Sequence, residues 1–186
     1  MRKPTYAEAK ARYRHLRLTA FSIAGANLAA EGFGPSVRLS GIEAKSLQAW
    51  RLQWTSRHAS GSGGWDWEMI AASARRDPAD FTLAIWSGNM LCGLASGRTS
   101  ARRMSGERAS ISIHDVEANP DPAHPLKGAV AYVTTAFAEV YGGILGAGAV
   151  RVVDPLPGAL PVYVRLGFTV VSKGGRPVYC EREITR

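Results

Sequence analysis

The sequence predicts a mixed α/β (α+β) chain: a central, largely antiparallel sheet flanked by helices, with one parallel step. Three observations predict it. Ser87-Gly88-Asn89 and Lys173-Gly174-Gly175-Arg176 each separate two runs of strand length, the signature of hairpins. A strand-like run over 109–118 enters a loop holding Pro120, Pro122 and Pro125, and apolar residues at helical spacing then begin at Lys127-Gly128. A strand over 149–153 follows, and a strand–helix–strand passage makes parallel neighbours. The full order is strand, two helices, three antiparallel-type strands, helix, strand, helix and two strands, with neither repeats nor a linker rich enough to split the chain.

In chain order, residues 4–30 read as helix, in one piece or two, starting at Pro4 or Thr5. Tyr6, Ala9, Tyr13, Leu16 and Ala20 recur at three- and four-residue steps and give one apolar face. Arg2, Lys3, Lys10, Arg12, Arg14 and Arg17 stand against a single acid, Glu8, on a face that is either solvated or a nucleic-acid contact. Residues 31–35 break the helix, and 36–40 alternate as a short strand. Ser40 or Gly41 caps a helix over 42–57, with Ile42, Leu47, Trp50 and Trp54 on its inner side. A Gly/Ser loop over 58–64 and a helix over 65–76 follow; Trp65 and Trp67 are core residues or walls of a ligand groove. A turn at 77–80 leads to strands over 81–86 and 90–99. A basic loop over 100–106 leads to the strand over 107–118. Beyond the helix at 129–141, residues 142–148 read as a glycine-rich exit. The strand 149–153 turns at 154–158 into a short helix over 159–166, which Gly167 stops. Strands over 168–172 and 177–183 close the chain.

The 186 residues suit one full core. With 46% apolar and 20% charged residues the chain is a globular one and not a disordered one. A net charge of +8 fits an anionic partner, such as a phosphorylated cofactor, a nucleic acid or an acidic surface, or serves solubility alone. Cys92 and Cys180 lie far apart within strands, lack metal-ligand spacing, and read as buried free thiols in a reducing compartment. The apolar run over 18–30 is too short to span a bilayer and lacks the form of a secretory signal, so the reading is cytoplasmic.

The passage at 119–141 carries the first chemistry. A strand, a tight loop with glycine and a helix start leave free N–H groups at the positive end of a helix dipole. That is either an anion site or an ordinary strand-to-helix turn. Backbone N–H groups from Lys127 to Val130 would do the binding, with Lys127 adding a charge-assisted contact. His124, between prolines, contacts the phosphate or caps the turn.

Ala159, Tyr163, Leu166, Gly167 and Phe168 supply the second feature. Here the sequence resembles the GNAT superfamily of acyl-CoA-dependent N-acetyltransferases. In that family a short helix with alanine four residues before Tyr-x-x-Leu-Gly-Phe follows the fifth strand. The resemblance implies a GNAT-like domain over 34–186 with residues 1–33 as an N-terminal helical extension. The family's loop, Gln/Arg-x-x-Gly-x-Gly/Ala, is represented by Pro125 to Val130, of which Gly128 alone is kept; the asparagine often found seven residues before the tyrosine is Leu156.

The resemblance implies acetyl-CoA as co-substrate and direct attack of an amine on its thioester. Tyr163 would be the general acid for the leaving thiolate. Strand alternation sets Asp115 and Glu117 on one face and His114 on the other; Glu117, nearest the loop, is the first candidate for the base, with Asp115 and His114 behind it. Val116, Ala118, His124, Lys127, Gly128, Ala129, Val130 and Asp154 would meet the cofactor, and no metal is implied. Trp50, Trp54, Trp65 and Trp67 would shape the acceptor pocket. The acceptor is a small-molecule or protein amine, with tRNA as a further option, in a monomer or homodimer. The alternative is a catalytically silent relative that binds a partner or nucleic acid.

Overall fold

The computed structural model of the chain describes residues 5–54, 64–100 and 109–185. Arg2, Lys3, residues 55–57 of the second expected helix, and the expected loops over 58–64 and 100–106, save Gly64 and Ser100, lie outside the described residues.

Helix α1 (Tyr6–Leu28) starts where the sequence expects: the Thr5 side chain accepts from Glu8 N–H, and Glu8 returns the bond to Thr5 N–H at 2.7 Å. Its apolar face sets in later than the three-four pattern suggests. Tyr6 is exposed, whereas Ala20, Phe21, Ala24 and Leu28 are buried. The expected break over 31–35 is partly helical, because Ala29–Phe33 continue as a π-helical turn and the chain leaves the helix at Gly34. Packing stabilises that turn: Phe33 stacks on Tyr132 with ring centroids 5.6 Å apart, and Tyr132 donates to Glu31.

Strand β1 (Val37–Ser40) leads to α2 (Ala44–Gln53) and α3 (Trp67–Ala74), then to β2 (Asp80–Ser87), β3 (Met90–Ser100) and β4 (Ser110–Ala118). Helix α4 (Val130–Leu145) follows, then β5 (Ala149–Val153), α5 (Leu160–Arg165), β6 (Thr169–Lys173) and β7 (Arg176–Glu183). The sheet order is β1-β2-β3-β4-β5-β7-β6, and only the β4–β5 pair is parallel. The expected glycine-rich exit over 142–148 begins too early, since α4 runs to Leu145 and stops at Gly146 in the left-handed conformation. Gly142 sits inside that helix for clearance. A Cβ there would lie 2.4 Å from Ile184 Cδ1.

The sheet separates two cores. On one face α1 and α4 cover Phe81, Leu83, Ile85, Ile111, Ile113 and Val150, with Phe21 stacked on Phe137 at 5.0 Å. On the other face Trp50, Trp54 and Trp67 from the α2–α3 segment pack on Ala84, Trp86, Leu91 and Leu94. Three of the four tryptophans expected to shape an acceptor pocket are therefore core residues; Trp65 is the exception. Both thiols are free and buried, and burial raises the pKa of each. Among the described residues no helix is long and apolar enough to cross a membrane, and no cluster of His, Cys, Asp and Glu could hold a metal ion.

Candidate active site

One inserted residue organises the site. Along β3 and β4, Ser96 pairs with Asp115 but Gly97 pairs with Ile113, so His114 has no partner and forms a bulge. A strand alternates faces with period two, and one extra residue reverses which set faces which side. Before the bulge Ile111 and Ile113 enter the α1–α4 core. After it Val116 takes that side, and Asp115 and Glu117 turn to the α2–α3 side. Asp115 accepts from Ser96 Oγ. Glu117, 5% exposed, accepts from Gly64 N–H at 2.7 Å and from the Trp67 indole N–H.

The bulge also marks where the sheet opens. Pairing between β4 and β5 ends at Ile113 and Val152, while β4 runs on to Ala118. Asn119 N–H is spent on Cys92 O, at 2.9 Å. Strand backbone alternates in direction, so Val116 and Ala118 turn their N–H and C=O groups to the side that β5 has left. The resulting cleft, of about 380 Å³, is lined by Trp65, His114, Asp115 and Val116 on one wall and by Val153, Asp154, Leu156, Ala159 and Tyr163 on the other.

Tyr163 stands on α5, 5% exposed, with its ring edge-on to Phe168 at 5.8 Å. Burial is the main cause of a phenol pKa pushed up to about 12, with Cys180 a smaller one. The hydroxyl therefore keeps its proton at neutral pH. A chain of contacts fixes α5: the Arg182 guanidinium lies 4.9 Å from the Phe168 ring centroid, donates to Leu166 O, and pairs with Glu139 of α4 at 2.5 Å.

Behind the cleft, the loop over 119–129 is built from side-chain-supported turns. Asp121 N–H donates to Asn119 Oδ1 at 2.8 Å and Ala123 N–H to Asp121 Oδ1 at 2.9 Å. Lys127 N–H is used by His124 O and Ala129 N–H by Leu126 O, so two of the four N–H groups expected to face an anion close the turn instead. Gly128 takes φ +78°. The first helical bond of α4 runs from Val133 N–H to Ala129 O, and the N–H groups ahead of it, on Val130, Ala131 and Tyr132, are the open donors of the helix end. The His124 ring is buried, with Nδ1 unpartnered, and burial, only partly offset by Asp121, lowers its pKa. A valine at position 130 fits because the strand beneath it is bare. A Cβ on Gly93 would lie 2.6 Å from Val130 Cγ1, so valine and glycine together let the end of α4 settle on β3.

Of the residues singled out in the sequence, Val116, Asp154 and Tyr163 line one cleft together with His114 and Asp115. Lys127, Gly128, Ala129 and Val130 form the turn and helix end behind it. Glu117 points to α3, outside that lining. Val153 also lines the cleft and reads in the sequence as an ordinary apolar residue at a strand end, whereas Leu156 lines it at the position where the resembling family often has asparagine.

No family model matches the chain, and no curated protein matches it in sequence. Solved structures do match its fold. The Campylobacter jejuni N-acetyltransferase PseH has a TM-score of 0.55 at 11% identity, over 81% of this chain and 100% of its own. The ribosomal-protein-S18-alanine N-acetyltransferase of Escherichia coli has 0.55 at 12%, over 81% and 95%. The yncA protein of Salmonella typhimurium, solved with its cofactor acetyl-CoA, has 0.52 at 16%, over 81% and 95%. The chain has the fold of the GNAT N-acetyltransferases.

Proposed function

We propose that the chain is an acyl-CoA-dependent N-acyltransferase that moves an acetyl group from acetyl-CoA to an amine by direct attack. The observation that carries this reading is the opening of β4 from β5 beside a buried, protonated Tyr163, with the open donors of α4 at its rear. The pyrophosphate would sit on the N–H groups of Val130 to Tyr132 and the positive helix end. The thioester would lie along the free edge of β4, where N–H groups of Val116 and Ala118 meet the charge developing on its oxygen.

The amine nitrogen attacks the thioester carbon and a C–N bond forms. The C–S bond then breaks, and Tyr163 gives its proton to the departing sulfur. A phenol of pKa about 12 is a weak acid for a thiolate of ordinary pKa near 8.5. The transfer is helped because burial in the same cleft raises the thiol's pKa too. The amine gives up a proton to the His114–Asp115 pair, which lines the cleft, in this assignment. Glu117 has a different task here. It grips Gly64 and the Trp67 indole on either side of Trp65, so it sets the wall that the amine meets.

Calorimetry and thermal shift with acetyl-CoA test the reading. Ligand at ~100 times its dissociation constant should stabilise the chain by ~2.7 kcal/mol. Tyr163→Phe should keep that binding and lose acetyl transfer by about 100-fold or more. Absence of binding at millimolar acetyl-CoA sinks the reading. It would favour a partner-binding relative of the fold, for which the internal use of the Lys127 and Ala129 N–H groups speaks.

A further inference from the structure

The chain carries a net charge of +8, yet among the described residues no lysine or arginine lines the cleft. The ionisable side chains there, among the described residues, are Asp115, Asp154, His114 and Tyr163. The last bonded pair of the opening strands is Ile113 with Val152, so Asp115 and Asp154 each stand two residues past the point of separation, on opposite walls. Asp115 is steadied by Ser96 Oγ. Asp154 makes no ion pair among the described residues. Val153 and Leu156 flank Asp154 with exposed apolar surface, 36% and 56% accessible, and Trp65 lies on the other wall.

We propose that the acceptor is a dicationic aliphatic amine, held with one nitrogen at Asp115 beside the thioester and a second, charged nitrogen at Asp154. This rests on the acyl-transfer reading above and adds the class of amine. Each part of such a molecule has a counterpart. The two ammonium groups meet the two carboxylates, Trp65 offers a π face to a cation, and the methylene chain lies on Val153 and Leu156. An acceptor with a carboxylate at its far end would set like charges together at Asp154, and one with a neutral end would leave that carboxylate unmatched. Arrival is favoured locally although the protein as a whole is basic, because a cleft lined by one sign of charge focuses its own field.

The experiment compares 1,5-diaminopentane, pentylamine and 5-aminopentanoate as acceptors, following release of the CoA thiol from acetyl-CoA with the full chain. Asp154 is exposed, and a charged contact there should give the diamine about 3-fold higher kcat/KM than pentylamine, with 5-aminopentanoate lower still. Asp154→Asn should bring the diamine-to-pentylamine ratio close to one. Asparagine tolerates the left-handed backbone that Asp154 adopts at φ +47°, so the variant keeps its turn. The ratio is taken at equal acetyl-CoA loading, so an effect of the substitution on the cofactor cancels. A ratio near one in the unmodified chain, a ratio untouched by Asp154→Asn, or turnover of a lysine peptide without turnover of diamines would each overturn the proposal. Calorimetry of 1,5-diaminopentane into the chain without acetyl-CoA separates the two readings. If acetyl-CoA fails to bind, acyl transfer falls. Diamine binding that Asp154→Asn abolishes still upholds the cation cleft, and no diamine binding overturns it.

Discussion

The two halves of β4 differ more than any other neighbouring stretches of the chain. Up to Ile113 the strand is bonded on both sides, to β3 and to β5, and its isoleucines are fully buried. From His114 onward it is bonded on one side, carries an imidazole and two carboxylates, and borders a cleft. A single unpaired residue separates the halves. The same sheet can thus be structural at one end of a strand and chemical at the other, provided that the alternation is reversed between them.

Inserting an alanine between Ser96 and Gly97 should break the comparison outright. It would give His114 a partner and remove the bulge, so that regular alternation carries Asp115 and Glu117 into the α1–α4 core, and uncompensated buried charge costs about 4 kcal/mol or more, most of a marginal stability. The check is urea unfolding; an unchanged midpoint would show that the bulge does not set the faces. Ile113→Ala should cost about 3 kcal/mol by leaving a cavity in the doubly bonded half. Val116→Ala, in the half-buried open half, should cost about 1 kcal/mol, and equal losses would erase the distinction. Glu117→Leu should cost about 2 kcal/mol, because Gly64 N–H and the buried Trp67 indole lose their acceptor, while Glu117→Gln retains one oxygen and should lose less.

The smallest effect concerns the opposite wall and shows only in alkali. The Tyr163 pKa is raised from 10 to about 12, so the folded chain holds this proton more tightly than the unfolded one. Stability from that group is complete below pH 10 and is lost as pH rises towards 12, by about 1.4 kcal/mol at pH 11. Unfolding of the native chain and of Tyr163→Phe at pH 9 and 11 measures it; Tyr163→Phe should lose less on going to pH 11. Equal slopes would mean that the cleft wall is wet.

Most of the element order was legible in the sequence because its punctuation is chemical. Ser87-Gly88-Asn89, the three prolines before Lys127 and Gly167 each mark a turn by what a backbone can do there. The turn-and-helix motif at 127–130 and the short helix at 159–166 were legible for the same reason. The bulge was not. His114 looks like any other strand residue, and alternation correctly joins Asp115 to Glu117 yet cannot say which face they share. Gly142 was misread as a helix end because glycine marks close packing as well as chain breaks. The tryptophans were ambiguous for a related reason: an aromatic side chain fills a core or lines a groove with the same atoms, and only the strands beneath decide. Val130 departs from the small residue of the resembling loop, but its counterpart, Gly93, lies on another element and is found only in three dimensions.

The stack of Phe21 on Phe137 has a consequence for how the chain is made. Helix α1 leaves the ribosome before α4, the helix that covers it, which is synthesised about a hundred residues later. At ~10 residues per second, Phe21 and Leu28 wait for about ten seconds without α4. Over that interval the nascent chain exposes an apolar stripe bordered by arginines, a surface that trigger-type chaperones or a neighbouring nascent chain could occupy.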